Sequence, residues 1–276
     1  MCRAHTLTLR PLCALRRFED AAELFVKAAN SFKMGKMWQE AGESFVAAAE
    51  CHLKIKSKDE AASSYVDAGS AFKKSNFVDA VGVLALAIDL YCNEGRFQQA
   101  AKLEKECAEL FEAESDTAQA IEHYQKAADL FSGEDSTSLA NQCMLKVAQF
   151  SAANEDYDRA IQIFEDVARA SLDSPLLKWS VKDYYLKAGL CRLAAESVNL
   201  EEARKAIERY QDMDTSFSQT RECKLLMDVL EAYEEVDVDT FTEVVFEFDQ
   251  VSKLDPWKTS LLLKIKQTIN KGGDLT

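Results

Sequence analysis

The stretch Trp38-Gln39-Glu40-Ala41-Gly42-Glu43-Ser44-Phe45-Val46-Ala47-Ala48 decides the fold of this chain. An aromatic, an alanine three residues on, a second aromatic four later and another alanine after three more all fall on one face of an α-helix. The same frame recurs up and down the sequence. It reads Phe18–Ala21–Phe25–Ala28, then Lys58–Ala61–Tyr65–Ala68, then Phe77–Ala80–Leu84–Ala87. Phe97–Ala100–Cys107 keeps it with Glu104 at the large position, and Ala120–Tyr124–Ala127, Ala140–Met144–Val147 and Tyr157–Ala160–Phe164–Val167 follow. The anchor alanines 21, 41, 61, 80, 100, 120, 140 and 160 are almost evenly spaced.

About twenty residues per unit accommodate four turns of helix and a short link. The links are visible in Lys56-Ser-Lys-Asp59, Asn93-Glu-Gly95 and Asn154-Glu-Asp156. Short links force antiparallel neighbours, so two units form a hairpin, and stacked hairpins form an α-solenoid. Trp38-x-x-Ala41-Gly42-x-x-Phe45 resembles the tetratricopeptide motif, with Ala41 in place of its leucine and a longer period. The aromatic stripe of Phe25, Phe45, Tyr65, Tyr124 and Phe164 is expected to be core by its phase. Beyond residue 170 the frame loosens, with Ser180 and Tyr184 at the expected places and Ala203 late.

From Thr220 three further helices are expected, at about 220–236, 239–253 and 257–270, with Asp255-Pro256 breaking the last pair. Val244, Val245, Phe246, Phe248 and Val251 make the middle one apolar around much of its circumference, which suits a compact bundle. The expected organisation is an atypical segment at 1–17, a solenoid at 18–215, a C-terminal helical bundle at 216–270 and a flexible tail at 271–276. The fold class is all-α.

Composition agrees. The 276 residues include only 9 glycines and 3 prolines, too few turn residues for an all-β protein of this size. Asp and Glu number 47 against 33 Lys and Arg, a net charge of −14 that disfavours general nucleic-acid binding. The 8 cysteines contain no C-x-x-C and several sit among apolar helix positions, so they read as buried, reduced thiols of a cytosolic protein. The longest apolar run, Val81 to Ile88, is far short of the roughly 20 residues that span a bilayer. Arg3, Arg10, Arg16 and Arg17 give the first 17 residues the composition of a transit peptide without a secretory apolar core.

Catalytic signatures are absent. His5, His52 and His123 are too scattered for a metal or general-base cluster, and His123 beside Glu122 reads as a solvated helix position. There is no phosphate-binding glycine loop and no nucleophile elbow, so no enzyme activity and no cofactor are expected. Charge placement points to binding instead. Nine acids and no base lie between Leu225 and Ser252, a run that reads equally as a solubilising surface or as a face able to dock a basic partner. Lys102 and Lys182 each follow a frame position by two residues and stand two hairpins apart, so they are expected to project from one side of the stack. Lys146, Arg96, Lys36 and Arg221 widen that side, with Gln142 at the step between. Such a patch suits an elongated acidic partner, while on spacing alone the same lysines read equally well as scattered solubilising charges.

From about Phe18 to Leu275 the chain resembles the soluble NSF attachment proteins of the alpha/beta type. The resemblance rests on Ala28-Ala-Asn-Ser-Phe-Lys-Met34, Tyr65-Val-Asp-Ala-Gly-Ser-Ala-Phe-Lys-Lys74, Asp173-Ser-Pro-Leu-Leu-Lys178, Arg221-Glu-Cys-Lys-Leu225 and Asp255-Pro-Trp257. It implies a non-enzymatic adaptor that binds assembled SNARE four-helix complexes on membranes and recruits and stimulates the hexameric ATPase NSF, which pulls them apart. Family SNARE-contacting bases correspond to Lys102, Lys146, Lys182 and Arg221, with Arg96 and Lys36 beside them. The family's NSF-facing acids and penultimate leucine correspond to Glu231, Glu234, Glu235 and Leu275. Family members also carry an additional N-terminal helix and a hydrophobic loop, with paired phenylalanines, that touches the membrane. Residues 1–17 match neither, which implies a cytoplasmic protein held at membranes through SNARE complexes. The alternative is a general tetratricopeptide-type scaffold that binds a peptide in its groove.

Overall fold

The computed structural model describes residues 6–195 and 198–273, with side chains from residue 15 to 271. Among the described residues there are thirteen α-helices and no strand. The first are α1 (Thr6–Met34), α2 (Trp38–Lys54), α3 (Lys58–Phe72), α4 (Phe77–Asn93), α5 (Phe97–Ala113) and α6 (Thr117–Gly133). α7 (Thr137–Ala153) contains the boundary between two compact units, Met1–Cys143 and Met144–Thr276. The second unit continues with α8 (Tyr157–Leu172), α9 (Lys178–Ala194), α10 (Leu200–Met213), α11 (Arg221–Glu234), α12 (Val238–Val251) and α13 (Pro256–Gly273).

In the first unit each helix packs against the one before it, from α1 on α2 through α5 on α6, as a solenoid of hairpins requires. The small anchors are what allow the close approach. Ala41, Ala61, Ala80, Ala100, Ala120, Ala140 and Ala160 are all buried, and so are Phe45, Leu84, Tyr124 and Phe164 at the large position. α1 departs from the pattern. There Ala22 and Ala29 are the buried alanines, while Phe25 remains 39% exposed, which corrects its assignment to the core. The reason is that α2 covers only one side of α1.

Seven interhelical turns share one geometry. Lys36, Lys56, Gly95, Ser115, Asp135, Glu155 and Val236 each adopt a positive φ two residues before the next helix begins. The following amide donates to the carbonyl five residues back, as Met37 does to Phe32 and Asp156 to Ser151. This is the Schellman closure, which satisfies orphan carbonyls at a helix end. It reverses the chain in very few residues.

In the second unit α8, α10, α11 and α13 all pack against α9. Tyr185 to Cys191 are consequently buried without interruption. The expected positions Ser180 and Tyr184 are only partly buried, because Val181 and Tyr185, one residue later, face the core. α13 reaches back past α9: Trp257 Nε1–H donates to the Gln149 carbonyl at 3.1 Å, and its ring meets Phe164 edge-on at 5.7 Å. The helices after residue 216 thus share their core with the preceding repeat. α12 buries little: of its apolar residues only Phe241 is buried, while Phe246 and Val251 are exposed.

Candidate partner-binding surfaces

Three of the expected basic residues belong to the first unit. Lys102 stands exposed on α5, turned away from the buried pair Ala100 and Ala101. Arg96, just before α5, is ion-paired to Asp59 and lies 4.9 Å above the Tyr91 ring. Lys36 is the exposed left-handed residue of the α1–α2 turn. In the second unit Lys146 is half-buried on α7, 5.8 Å from the centre of Phe150. Lys182 on α9 places its ammonium 3.0 Å from Glu222 on α11, next to the exposed Arg221. Packing of α11 on α9 therefore brings Lys182 to the helix start that carries Arg221.

Beside Lys182 lies a groove of about 540 Å³ lined by Pro175, Lys178, Trp179, Asp214 and Thr220. Trp179 is 82% exposed and Leu176, one turn before it, is 89% exposed. Neither was singled out from sequence. The available signal was two large apolar residues flanking the α8–α9 link, where the repeat frame asks for no core residue. Large exposed apolar side chains beside a cation are the composition of a binding hot spot.

The acidic residues are less uniform than the sequence suggests. Glu231 on α11 and Glu235 just after it are exposed, but Glu234 is paired at 2.6 Å with Arg204 of α10. Lys224 and Lys253 lie within 4.0 and 2.7 Å of Asp228 and Asp249. Burial pushes the Asp228 carboxyl up, with Glu231 and Glu247 adding to it against the pull of Lys224. Leu275 lies outside the described residues.

His123 is not solvated. Its Nδ1 stands 2.6 Å from Glu104 Oε2, and its ring stacks on Phe111 at 5.1 Å. This also explains Glu104 at a large frame position: the buried carboxylate is met by the imidazole of the next helix. The unit holds together polar groups, not a catalytic cluster. Among the described residues no group of histidines, cysteines and acids could hold a metal ion, and no helix is long and apolar enough to cross a membrane. The described cysteines are free; burial, with Glu104 and Glu106 adding, pushes the Cys107 thiol up to about 12, so it is unreactive near neutrality.

These features define a helical-repeat protein of the α-solenoid class whose chemistry-bearing residues are charges on its helices and turns. The chain belongs to the soluble NSF attachment protein family, whose model matches residues 13–270. It is 52% identical to the alpha-soluble NSF attachment protein of Dictyostelium discoideum, over 92% of this chain and 87% of that one. Identity to the beta-soluble NSF attachment protein of Bos taurus is 46%, covering 94% and 86%. The vesicular-fusion protein SEC17 of Coprinopsis cinerea is 39% identical, covering 94% and 90%.

Proposed function

We propose that this protein is a non-enzymatic adaptor that binds assembled SNARE complexes and brings the ATPase NSF to them for disassembly in vesicle fusion. The observation that carries this reading is the match over nearly the whole chain to proteins named for NSF attachment and vesicular fusion. In this reading Lys102, Lys146, Lys182 and Arg221, with Arg96 and Lys36 beside them, meet the acidic SNARE bundle. Leu176 and Trp179 supply apolar contact next to Lys182. Glu231, Glu235 and Leu275 face NSF, while Glu234 contributes less because Arg204 already compensates it. Attachment to membranes follows from the bound SNARE complex.

The test is capture of purified SNARE complex by Lys102→Glu combined with Lys182→Glu. Each lysine contributes about 1 kcal/mol in a partly exposed site, and reversal adds repulsion, so affinity falls roughly thirtyfold or more. Helical content stays at the wild-type level. Undiminished capture at moderate salt would reject this surface. Capture of an isolated SNARE peptide as tightly as the folded complex would favour the peptide-binding scaffold instead.

A further inference from the structure

α11 and α12 pack together but leave a groove of about 270 Å³ between them, lined on its apolar side by Leu225, Val244, Phe248 and Val251. Leu225 is buried, Val244 and Phe248 are half-buried and Val251 is 60% exposed, so apolar surface runs from the core out to solvent. Val244, Phe248 and Val251 recur at helical spacing, and such a stripe ordinarily packs against a neighbour. Charge divides the rim. Arg221 and Lys224 stand toward the start of α11, and Asp228 and Glu247 complete the lining. Burial raises the Asp228 carboxyl, and Glu231 and Glu247 are close enough to raise it further. Lys224 reaches Asp228 only at 4.0 Å from an exposed position, a contact that a better-placed cation displaces.

We infer that this groove seats a lysine or arginine side chain from a basic surface of NSF, which rests on the reading that the acids at the end of α11 face that ATPase. A long basic side chain has an apolar stem and a charged head. The stem lies along Val244, Phe248 and Val251, and the head meets the carboxylates of Asp228 and Glu247, with Glu231 beside them. The groove has room for one such side chain. An acidic group is disfavoured here, because these carboxylates would repel it. A purely apolar anchor is disfavoured too, since it would desolvate the carboxylates without pairing them. A cation instead relieves their mutual repulsion. An apolar stem under a paired, water-excluded head is the composition of an interface hot spot.

Recruitment of purified NSF to preformed SNARE complexes, measured per complex captured, tests this. Asp228→Asn combined with Glu247→Gln keeps both side-chain shapes and is expected to weaken recruitment roughly fivefold or more. Phe248→Ala removes apolar surface from under the stem and weakens it about threefold. Phe246→Ser, on the same helix and 62% exposed but outside the groove lining, leaves it unchanged. Circular dichroism melts of each variant check that α12 stays folded. Glu231→Lys with Glu235→Lys separates the groove from the acidic face. If that pair weakens recruitment while the groove variants recruit NSF like the wild type, the groove proposal is overturned and the acidic face stands. If none of the variants alters recruitment, the reading of the acidic face fails and the groove fails with it. Equal loss from Phe246→Ser and Phe248→Ala also overturns the proposal, since the effect then comes from loosening α12.

Discussion

Asp183 holds together two lysines that the fold takes out of water. Its carboxylate receives Lys187 at 2.8 Å from its own helix and Lys258 from α13, whose side chains are only 11% and 13% exposed. Burial alone would raise the Asp183 carboxyl, but the paired lysines outweigh it and hold it below the usual carboxylate range. Because the folded value is depressed, the stabilisation is fully present above about pH 4, the ordinary value in the unfolded chain, and is lost as pH falls through the folded value. Asp183→Asn is expected to cost about 2–3 kcal/mol at neutral pH, less than breaking a wholly buried pair because the carboxylate keeps a third of its surface in water. Urea unfolding of both proteins across pH 2–7 checks the sign: the gap between them closes below the ordinary carboxylate range near pH 4. A constant gap would mean that Asp183 acts by packing alone. His123 teaches the complementary lesson at this scale. Nothing local distinguishes it from a surface histidine, since Glu104 lies one helix away.

Among the elements, the Schellman turns carry a measurable cost. A β-branched residue is poorly suited to positive φ, yet Val236 sits there at φ 56 between α11 and α12. Glycine accepts the same conformation freely, as Gly95 does at the equivalent turn. Val236→Gly is therefore expected to stabilise the protein by roughly 0.5–1 kcal/mol, part of the relief being offset by added freedom in the unfolded chain. Thermal unfolding should show a rise of about 2 °C for a chain of this size. A lower Tm would mean that the half-exposed valine side chain packs more strongly than the backbone resists. These turns were only partly legible: Asn93-Glu-Gly95 announces itself through glycine, whereas Lys36, Glu155 and Val236 take the same shape because the flanking helices impose it. Gly189 shows the converse. A Cβ there would lie 2.6 Å from Leu226, so the close contact of α9 and α11 depends on its absence.

Across the molecule, the proposed activities draw on opposite charges, with bases on α5, on α9 and at the start of α11, and acids at the end of α11. Exposed lysine on α5 and the Lys182–Arg221 pair suit an acidic bundle, and exposed acids on α11 suit a basic surface. Glu231→Lys with Glu235→Lys should weaken NSF recruitment roughly tenfold or more while leaving SNARE capture unchanged, since both side chains are exposed and outside the basic set. Pull-down of NSF onto preformed complexes, alongside SNARE capture without NSF, separates the two effects. Equal loss of both would show that the acids support the fold instead of the partner contact.

The alanine frame, with its twenty-residue spacing, was enough to establish the all-α hairpin repeat and the buried anchors from Ala41 to Ala160. That is because burial at 3.6-residue periodicity is a local property written in every turn. The sequence also picked out Lys102 as exposed, two positions past an anchor. Which charges remain available was decided only in three dimensions. Arg204 reaches Glu234 across 30 residues of sequence, Glu222 meets Lys182 across 40, and Lys258 finds Asp183 across 75. Packing also opened one face of α1, shifted α9 by one residue and set Trp179 and Leu176 on the surface. Each depends on which helices surround an element, and a repeat pattern defines faces without saying which neighbour will cover them.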